Sequence, residues 1–211
     1  MDSRNKMIKI FNDALAKNGP DSPEAVCWGT RRTQYFRFKI LCDIAGLFGD
    51  KSLVILDWGC GLGDLLEYLR FQGFTGTYIG ADINKEFIAE ARKKYADDPH
   101  ASFFVSESLR DAARLQYDYC LLSGVFNIAA EDTGAELKKT VQALFKGARR
   151  GVAFNALSTH AKEKKSDLAY FDPFALGEWC AREVTPYVAL RHDYRGGNFT
   201  VYLYKDRGVD F

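Results

Sequence analysis

The sequence predicts an α/β protein whose mainly parallel sheet carries helices on both faces. Short apolar segments rich in β-branched residues alternate with longer segments whose apolar residues recur at helical spacing. Strands separated by helices are joined by crossover connections, which place the helices on the two faces of a parallel sheet. The chain closes with two alternating segments around Arg195-Gly-Gly-Asn198, a hairpin signal that makes the last strand antiparallel to its neighbour.

Two helices are predicted before the first strand. The first ends at Asn18-Gly-Pro20, because glycine and proline interrupt the helical pattern. The second runs from about residue 33 to residue 47. Each has an apolar face, formed by Met7, Ile10, Phe11, Ala14 and Leu15 in the first helix and by Phe36, Ile40, Ile44 and Phe48 in the second.

Five strands and their helices follow in alternation. The predicted strands are 53–57, 77–82, 102–105, 117–122 and 151–157. The predicted helices are one that ends near residue 71 and three that span 86–95, 135–145 and 173–184. The closing hairpin uses strands 188–192 and 199–204.

Length and composition indicate one folded domain. Of the 211 residues, 47% are hydrophobic, which is enough to bury a substantial single core. We therefore expect a single domain over residues 1–211, in which residues 1–50 form a helical lid or cap and residues 51–211 form the core.

Charge and cysteine content limit which cellular compartment and which binding partners we expect. Lysine and arginine total 29 and aspartate and glutamate total 28, so no global positive field attracts nucleic acid or an anionic membrane. The five cysteines are scattered, without a C-x-x-C pair or a cluster with histidine, which predicts reduced thiols and no metal site. With no signal peptide and no apolar run approaching about 18 residues, the sequence predicts a soluble cytoplasmic protein.

The most informative motif joins the first predicted strand to the helix after it. Leu53-Val-Ile-Leu-Asp57 leads into three alternating glycines, Gly59, Gly61 and Gly63. Glycine leaves the main chain open to a ligand and adopts turn dihedrals that strain other residues. Asp82 stands 19 residues beyond Gly63, at the end of the second strand, where a carboxylate can accept hydrogen bonds from both ribose hydroxyls. The motif predicts a site for a nucleoside-containing cofactor.

The spacing argues against a dinucleotide. The G-x-G-x-x-G fingerprint needs a third glycine that lets the helix approach a pyrophosphate. That position is Asp64 when counted from Gly59, and Leu66 when counted from Gly61. A carboxylate there repels a pyrophosphate but suits a cofactor with an amine and a sulfonium, and Asp57 adds a second negative charge on that side. Ordinary turn glycines with Asp64 as a helix cap are the structural alternative.

The pattern D-x-G-C-G-x-G from Asp57 to Gly63, with an acid after the second strand, resembles motifs I and II of the class I S-adenosylmethionine-dependent methyltransferases. The resemblance implies a Rossmann-like sheet of seven strands in the order 3-2-1-4-5-7-6, with the last strand antiparallel. It also implies that S-adenosylmethionine is the cofactor and S-adenosylhomocysteine the product. A set of small bacterial methyltransferases is similar at further segments, namely 28–38, Ser123-Gly-Val-Phe-Asn127, Phe154-Asn155 and Arg191-His-Asp-Tyr194.

The resemblance implies specific cofactor contacts. In an open α/β sheet the ligand lies beyond the carboxyl ends of the strands, where the order reverses between strands 1 and 4. Glu107 occupies the place of an acid that commonly binds the adenine amino group, and a solvated loop acid is the alternative. The other expected contacts are Gly59, Gly61 and Gly63 with the methionine part and the ribose, Asp82 with the ribose, Ile83 with the adenine, and Ser123 and Gly124 with the methyl group.

An aromatic and cationic segment precedes the strands. Residues 27–38 contain Trp28 and three arginines. In a lid over the cofactor, Trp28 would exclude water and Arg37 would pair with the methionine carboxylate. An ordinary amphipathic helix with its arginines in water is the alternative.

The acceptor is expected to be a small molecule. The Asn/Asp-Pro-Pro-Tyr/Phe signature of amino-group DNA methyltransferases is absent after strand 4, where Ser123-Gly-Val-Phe-Asn127 stands. Phe126, Asn127 and Asn155 are predicted to bind the acceptor in an aromatic pocket with a few polar anchors. A cap on a strand-end turn is the alternative for each asparagine.

A general base is needed only if the nucleophile must lose a proton. His192 is the predicted base, with His160 and Tyr170 as candidates for the same role. His192 and Tyr194 are expected on one face of the strand that ends there, because neighbouring side chains alternate. A structural histidine at the sheet edge is the alternative interpretation of His192.

Two other classes of function stay compatible with the sequence. The chain can be a noncatalytic S-adenosylmethionine sensor or partner subunit, from which an enzyme differs by forming S-adenosylhomocysteine with an acceptor. It can also be an RNA methyltransferase, with Arg149-Arg150 and Lys162–Lys165 as a local basic patch. We expect a monomer or homodimer that acts on a small molecule, with no membrane and no nucleic-acid partner.

Overall fold

A computed structural model describes residues 3–44, 52–194 and 197–205. The chain forms two compact units, Met1–Glu107 and Ser108–Phe211.

The first unit combines a helical N-terminal segment with three parallel strands. In chain order its elements are α1 (Ser3–Asn18), a 3₁₀ turn (Pro23–Val26), α2 (Arg31–Cys42), β1 (Val54–Trp58), α3 (Asp64–Phe71), β2 (Thr77–Asp82), α4 (Lys85–Lys94) and β3 (Ala101–Val105). β2 pairs with β1 on one side and with β3 on the other. Gly80 lies opposite Asp57 in β1 and opposite Phe103 in β3, which puts a residue without a side chain at the centre of this layer.

The N-terminal segment packs onto the first unit through apolar contacts. Ala25, Leu62 and Phe87 form a buried cluster, and the partly buried side chains packed against it are Phe11, Leu15 and Val26. The Phe11 and Phe87 rings meet edge to face with centroids 5.6 Å apart. The apolar stripe of α1 and the 3₁₀ turn therefore cover the loop that follows β1, because that burial removes their side chains from water.

The second unit contains the closing strands. Its elements are α5 (Leu109–Ala112), β4 (Tyr117–Leu122), α6 (Thr133–Gly147), β5 (Ala148–Ser158), β6 (Tyr170–Phe171), α7 (Pro173–Glu183), β7 (Val188–Arg191) and β8 (Asn198–Tyr204). β4 and β6 run parallel to β5, whereas β8 is antiparallel to both β5 and β7. The carboxyl ends of β4, β5 and β7 therefore lie at one edge of this part of the sheet.

The observed strand order confirms the predicted fold class. Hydrogen-bonded neighbours follow the order β3-β2-β1-β4-β5-β8-β7, and β6 lies beside β5. The short strand β6 was not predicted and shifts the numbers of the last two strands, so the predicted order 3-2-1-4-5-7-6 and the antiparallel last strand are both confirmed. The single domain with a lid over residues 1–50 stays a prediction.

Several element boundaries differ from those predicted. α2 begins at Arg31, because Thr30 caps its first turn by accepting a hydrogen bond from the Thr33 N–H. The helix ends at Cys42. Residues 45–47 of the predicted helix lie outside the described residues. β7 ends at Arg191, so His192 follows the strand instead of closing it. The predicted hairpin turn at residues 195 and 196 lies outside the described residues. Within the described ranges, no helix has the length and apolar character needed to span a membrane.

Gly80→Ala is expected to lower the free energy of unfolding by about 1–3 kcal/mol, because overpacking a dense core forces its neighbours to move. A Cβ at this position would lie 2.5 Å from Phe103 Cδ1 and 3.0 Å from Cys60 Sγ, and both neighbours are buried. Urea denaturation of the two proteins measures the change.

Gly134→Ala is the matched control for this substitution. No atom of the described residues lies within 4 Å of where a Cβ of Gly134 would stand in the first turn of α6, so stability should be unchanged or raised by up to about 1 kcal/mol. Equal denaturation midpoints for the two variants would contradict the close packing at Gly80.

Candidate functional site

The three glycines after β1 form a turn that is fixed to the end of β2. All three have left-handed backbone conformations, with φ values of 81°, 55° and 81° for Gly59, Gly61 and Gly63. The N–H groups of Gly59 and Cys60 donate to the Ala81 carbonyl oxygen at 2.7 and 3.0 Å. The turn therefore needs glycine for its dihedrals and brings its main chain close to the residues that follow β2.

Asp82 joins this turn to the segment after β2. Its Oδ2 accepts a hydrogen bond from the Gly61 N–H at 2.9 Å, and its Oδ1 accepts one from the Asn84 N–H at 2.8 Å. Burial raises the pKa of Asp82, and the N–H donors oppose that rise. The Ile83 N–H is a third donor to this carboxylate. Because a carboxylate offers about four lone-pair positions, Asp82 keeps capacity for a ribose hydroxyl.

A cavity of about 450 Å³ lies beside the ends of β2 and β3. Ile83 and Glu107, the two residues predicted to contact the adenine, both line it. The remaining walls come from Val105 and Lys85 and from one side of α1, namely Arg4, Asn5, Ile8 and Asn12. Its volume falls in the range of small-molecule sites, so the structure brings the predicted adenine residues to one ligand-sized space.

Helix α1 is fastened to this cavity by polar contacts that sequence analysis missed. Asn84 Nδ2 donates to Asn12 Oδ1 at 2.8 Å, and Arg4 Nη1 donates to the Glu107 carbonyl oxygen at 3.2 Å. Asn84 also caps α4 by accepting hydrogen bonds from the Glu86 and Phe87 N–H groups. No motif signals these contacts, because they join residues more than seventy positions apart.

Asp57 lies within the packed layer instead of standing as a free charge. Its buried carboxylate accepts a hydrogen bond from the Tyr78 hydroxyl at 2.5 Å. Burial raises the pKa of Asp57 to about 7, against the Tyr78 hydrogen bond that lowers it. The second full negative charge that the sequence predicted on the cofactor side is therefore only partly present near neutral pH.

Asp64 at the start of α3 is held by α2. Its Oδ1 accepts a hydrogen bond from Arg31 Nη1 and its Oδ2 accepts one from Gln34 Nε2, both at 2.7 Å. Arg31 also donates to the Asp21 carbonyl oxygen at 2.8 Å. Among the arginines of the predicted lid, Arg31 is thus the one that neutralises the carboxylate next to the glycine turn, and Asp64 is not a simple helix cap.

The predicted lid residues Trp28 and Arg37 contact one another. The Arg37 guanidinium lies 4.3 Å from the centroid of the Trp28 ring, a cation–π arrangement. The 3₁₀ turn just before Trp28 reaches the glycine turn, because a Cβ on Gly61 would lie 3.2 Å from Val26 Cγ1. The segment therefore covers the glycine turn, while the contact of Arg37 with a methionine carboxylate stays a prediction.

The first unit suits the nucleoside cofactor that the sequence implied. The glycine turn, the Asp82 carboxylate and the cavity at Ile83 and Glu107 follow one another along the ends of β1, β2 and β3. A dinucleotide would instead meet Asp64 at the start of α3, where a phosphate-binding helix terminus needs open N–H groups.

In the second unit, Asn155 stabilises the turn after β4. Its Oδ1 accepts a hydrogen bond from the Gly124 N–H at 2.9 Å, and its Nδ2 donates to Ser123 Oγ at 3.2 Å. Gly124 has a φ of 73°, which only glycine adopts without strain. The structure thus favours the strand-end cap for Asn155, which positions Ser123, over direct binding of an acceptor.

The two predicted histidines lie together at the carboxyl edge of β5 and β7. The centroids of the His160 and His192 rings are 5.5 Å apart. Phe174, which sequence analysis did not identify, meets His160 and His192 edge to face with centroids 6.0 and 6.2 Å away. No sequence pattern signals this contact, because the three rings lie in separate segments: the loop after β5, the first turn of α7 and the loop after β7.

Three further candidates differ in their contacts. The Tyr170 hydroxyl accepts a hydrogen bond from the Lys165 N–H at 2.9 Å, so it stabilises the loop before β6. Phe126 is buried, and the Asn127 carbonyl accepts a hydrogen bond from the Ala169 N–H. The Asn127 side chain is different, because its Oδ1 is a buried atom without a hydrogen-bond partner in the described part of the chain.

The buried side-chain atoms without a partner in the described part of the second unit are Asn127 Oδ1, His192 Nε2 and Asn198 Oδ1. All three residues lie at the edge where β4, β5 and β7 end and β8 begins. Because an unpaired buried polar atom costs about 1–3 kcal/mol, three at one edge indicate a site that a ligand completes.

Comparisons with known proteins agree with this geometry. A family model described as a methyltransferase domain matches residues 56–150. The protein Rv1506c of Mycobacterium tuberculosis, whose name provisionally calls it a methyltransferase, is 34% identical over 157 residues, which cover 72% of this chain and 92% of that protein.

Solved structures share the fold at low sequence identity. The magnesium protoporphyrin IX methyltransferase of Synechocystis PCC 6803 with bound S-adenosylhomocysteine superposes with a TM-score of 0.60 at 15% identity, covering 83% of each chain; a second structure of that enzyme holds S-adenosylmethionine. The small RNA methyltransferase HEN1 gives a TM-score of 0.60 at 16% identity, covering 83% of this chain and 25% of that one.

Asp57 is expected to lower stability as the pH rises towards neutrality. Its pKa is about 7 in the folded protein and 3.8 as an ordinary carboxyl, so folding takes up a proton between these values. The stabilisation from protonated Asp57 is complete below about pH 4 and is lost as the pH rises through about 7. Relative to Asp57→Asn, the wild-type protein should lose about 1–3 kcal/mol between about pH 5 and about pH 8.

Urea denaturation of both proteins across this range measures the difference. Asparagine does not ionise, so the comparison isolates the carboxyl group. A difference that is independent of pH would show that Asp57 keeps an ordinary pKa in the folded protein.

Proposed function

The chain belongs to the class I S-adenosylmethionine-dependent methyltransferases, and on that premise we propose that it transfers the methyl group to a small-molecule acceptor. The observation that carries this proposal is the pair of buried atoms that have no partner among the described residues, Asn127 Oδ1 and His192 Nε2, at the carboxyl edge of the second unit. Both atoms can accept a hydrogen bond from a ligand. Because the atoms are buried, the ligand must be small enough to enter a pocket and reach them, as a small molecule is.

The cofactor is S-adenosylmethionine, which supplies an electrophilic methyl group on a sulfonium. In this proposal Asp82 accepts hydrogen bonds from the ribose hydroxyls, and Ile83 and Glu107 contact the adenine. The turn of Gly59, Gly61 and Gly63 lies along the ribose and the methionine part. Trp28 excludes water on the covered side, and Arg37 binds the methionine carboxylate.

Methyl transfer is an in-line displacement, so positioning supplies much of the rate. Asn155 acts through Ser123 and Gly124 by fixing the turn after β4. Asn127 orients the acceptor, and Phe126 supplies apolar support next to it. His192 takes a proton from the acceptor where the nucleophile is protonated, and His160 and Tyr170 are the alternatives for that role.

RNA methylation is the less favoured acceptor class. The local basic patch is partly neutralised, because Arg150 Nε lies 3.6 Å and Arg149 Nη1 lies 4.0 Å from Asp118 Oδ1. Lys164 Nζ lies 6.0 Å from the centroid of the Tyr170 ring. Together with a formal net charge of +1, these contacts favour a small acceptor over a polyanion.

We propose that the protein works in a reducing compartment as a monomer or homodimer. All five cysteines carry free thiols, and four of them are buried. Free buried thiols are typical of proteins in the cytoplasm, where disulfides rarely form. We accordingly place the enzyme in the cytoplasm as a monomer or homodimer.

Asp82→Ala is expected to weaken S-adenosylhomocysteine binding tenfold or more, because a charge-assisted hydrogen bond contributes about 1.5–3 kcal/mol. Calorimetry measures the dissociation constant. Asp97→Ala, at an exposed acid of the same unit, is the control and should leave it unchanged. NAD should not bind either protein, and an unchanged affinity in Asp82→Ala would remove Asp82 from the site.

Methyl label from S-adenosylmethionine is expected in the small-molecule fraction of a cell extract. The purified protein is incubated separately with this fraction, with total RNA and with the protein fraction, and the label is followed by scintillation counting. His192→Ala should slow the transfer by about 10²–10⁴-fold, because it removes the proton acceptor, with S-adenosylhomocysteine affinity intact.

Label in RNA alone would contradict the small-molecule acceptor. Binding of S-adenosylhomocysteine without transfer to any fraction would instead support the noncatalytic sensor or partner subunit.

A further inference from the structure

We propose that the acceptor is an aromatic ring that carries a hydroxyl group, with its ring against Phe174 and its hydroxyl directed at His192. This inference rests on the proposed methyl transfer to a small molecule and names the chemical class of the acceptor. It follows from three observations on the second unit: the exposure of Phe174, the buried His192 Nε2 that has no partner among the described residues, and the way His160 is held.

Phe174 is an apolar ring that remains open to solvent. It is 62% exposed in the first turn of α7, yet its ring contacts both His160 and His192. The plane of Phe174 lies at 79° to each imidazole, and the two imidazoles lie at 54° to one another. Three rings in this arrangement form a corner, which a flat aromatic ligand fills by stacking on one wall and meeting another edge to face.

The polar atoms at this corner select against an anion. His192 Nε2 is buried, has no partner among the described residues and is not a fixed positive charge. Phe199 of β8 lies on another side of the His192 ring, with ring centroids 6.3 Å apart. The adjacent cation, Arg191, is paired with Asp193 at 3.2 Å. A carboxylate or phosphate group would find little compensation here, whereas a hydroxyl donates to an acceptor atom.

Ser158 positions the second imidazole. Its Oγ is fully buried, accepts a hydrogen bond from the His160 N–H at 3.1 Å and shares a hydrogen bond with His160 Nδ1 at 3.3 Å. His160 is exposed, and its Nδ1 is bonded to Ser158. The Nε2 atom of His160 is therefore the ring nitrogen that can face a ligand. Ser158 is therefore a positioning residue for the ring that forms one wall of the corner.

The chemistry of the reaction favours a phenolic over an aliphatic hydroxyl. Imidazole is a weak base, and a phenol loses its proton far more readily than an aliphatic alcohol does. The phenolic proton passes to His192 Nε2 while an oxygen lone pair forms the new C–O bond and the S–CH₃ bond of the cofactor breaks. The products are an aryl methyl ether, S-adenosylhomocysteine and an imidazolium that returns its proton to water.

Three matched probes test the acceptor class on the intact protein saturated with S-adenosylhomocysteine. 2-Naphthol carries the aromatic hydroxyl, decahydro-2-naphthol has the hydroxyl without the aromatic ring, and 2-naphthoate has the ring with an anion. Nitrogen-15 labelling of histidine reports the imidazole signals of His160 and His192. We expect 2-naphthol to shift both sets of signals, and the two other probes to shift neither at the same concentration.

Substitution of Phe174 then tests the ring contact. Phe174→Ala should weaken 2-naphthol binding about 3–10-fold, because an aromatic pair is lost, with S-adenosylhomocysteine affinity unchanged. Tyr187→Ala is the matched control: Tyr187 is 46% exposed in the same unit but precedes β7, at the opposite end from His192. It should bind 2-naphthol as the wild-type protein does.

Two outcomes would overturn the inference while leaving the proposed function intact. The first is S-adenosylhomocysteine binding with no response of His160 and His192 to 2-naphthol. The second is an equal response to 2-naphthol and decahydro-2-naphthol, or an equal affinity in Phe174→Ala. Failure of S-adenosylhomocysteine itself to bind would overturn the proposed function and this inference with it.

Discussion

The attachment of the glycine turn to the end of β2 is the constraint on which the first unit depends. The Ala81 carbonyl accepts two N–H groups of the turn, and the Asp82 carboxylate accepts a third. These bonds can form only if the main chain of the turn approaches β2 closely, and Gly80 allows the neighbouring Phe103 ring to pack into the space that a side chain would fill. A loop with ordinary residues would lose both the dihedrals and the approach.

This attachment links the cofactor side of the unit to its N-terminal helix. Asp82, Ile83 and Asn84 are consecutive, yet each serves a different neighbour: the glycine turn, the cavity beside β3 and helix α1. A ligand that competes for Asp82 or fills the cavity therefore acts on residues that also hold α1 in place. The residues predicted to bind the cofactor and the residue that holds α1 are thus consecutive in the chain.

The second unit differs in its buried polar groups, because some of them find hydrogen-bond partners within the described structure and others do not. Both ends of the Asn155 amide hydrogen-bond to the turn after β4, so Asn155 shapes the site by fixing that turn. Asn127 and His192 each keep a buried atom without a partner in the described structure. A fold ordinarily pairs its buried polar atoms, because leaving them unpaired costs free energy, so the exceptions mark where a ligand is expected.

The sequence by itself determined the alternation of strands and helices and the glycine turn with Asp82, because hydrophobic period and glycine spacing are local and strong. It also placed His160 and His192 near strand ends. Only the tertiary structure decided that Asp64 is neutralised by Arg31, that Asp57 is buried against Tyr78, and that Phe174 joins the two histidines. Each of these depends on contacts between residues distant in the chain, and no local pattern encodes which partner a buried polar or aromatic group will meet.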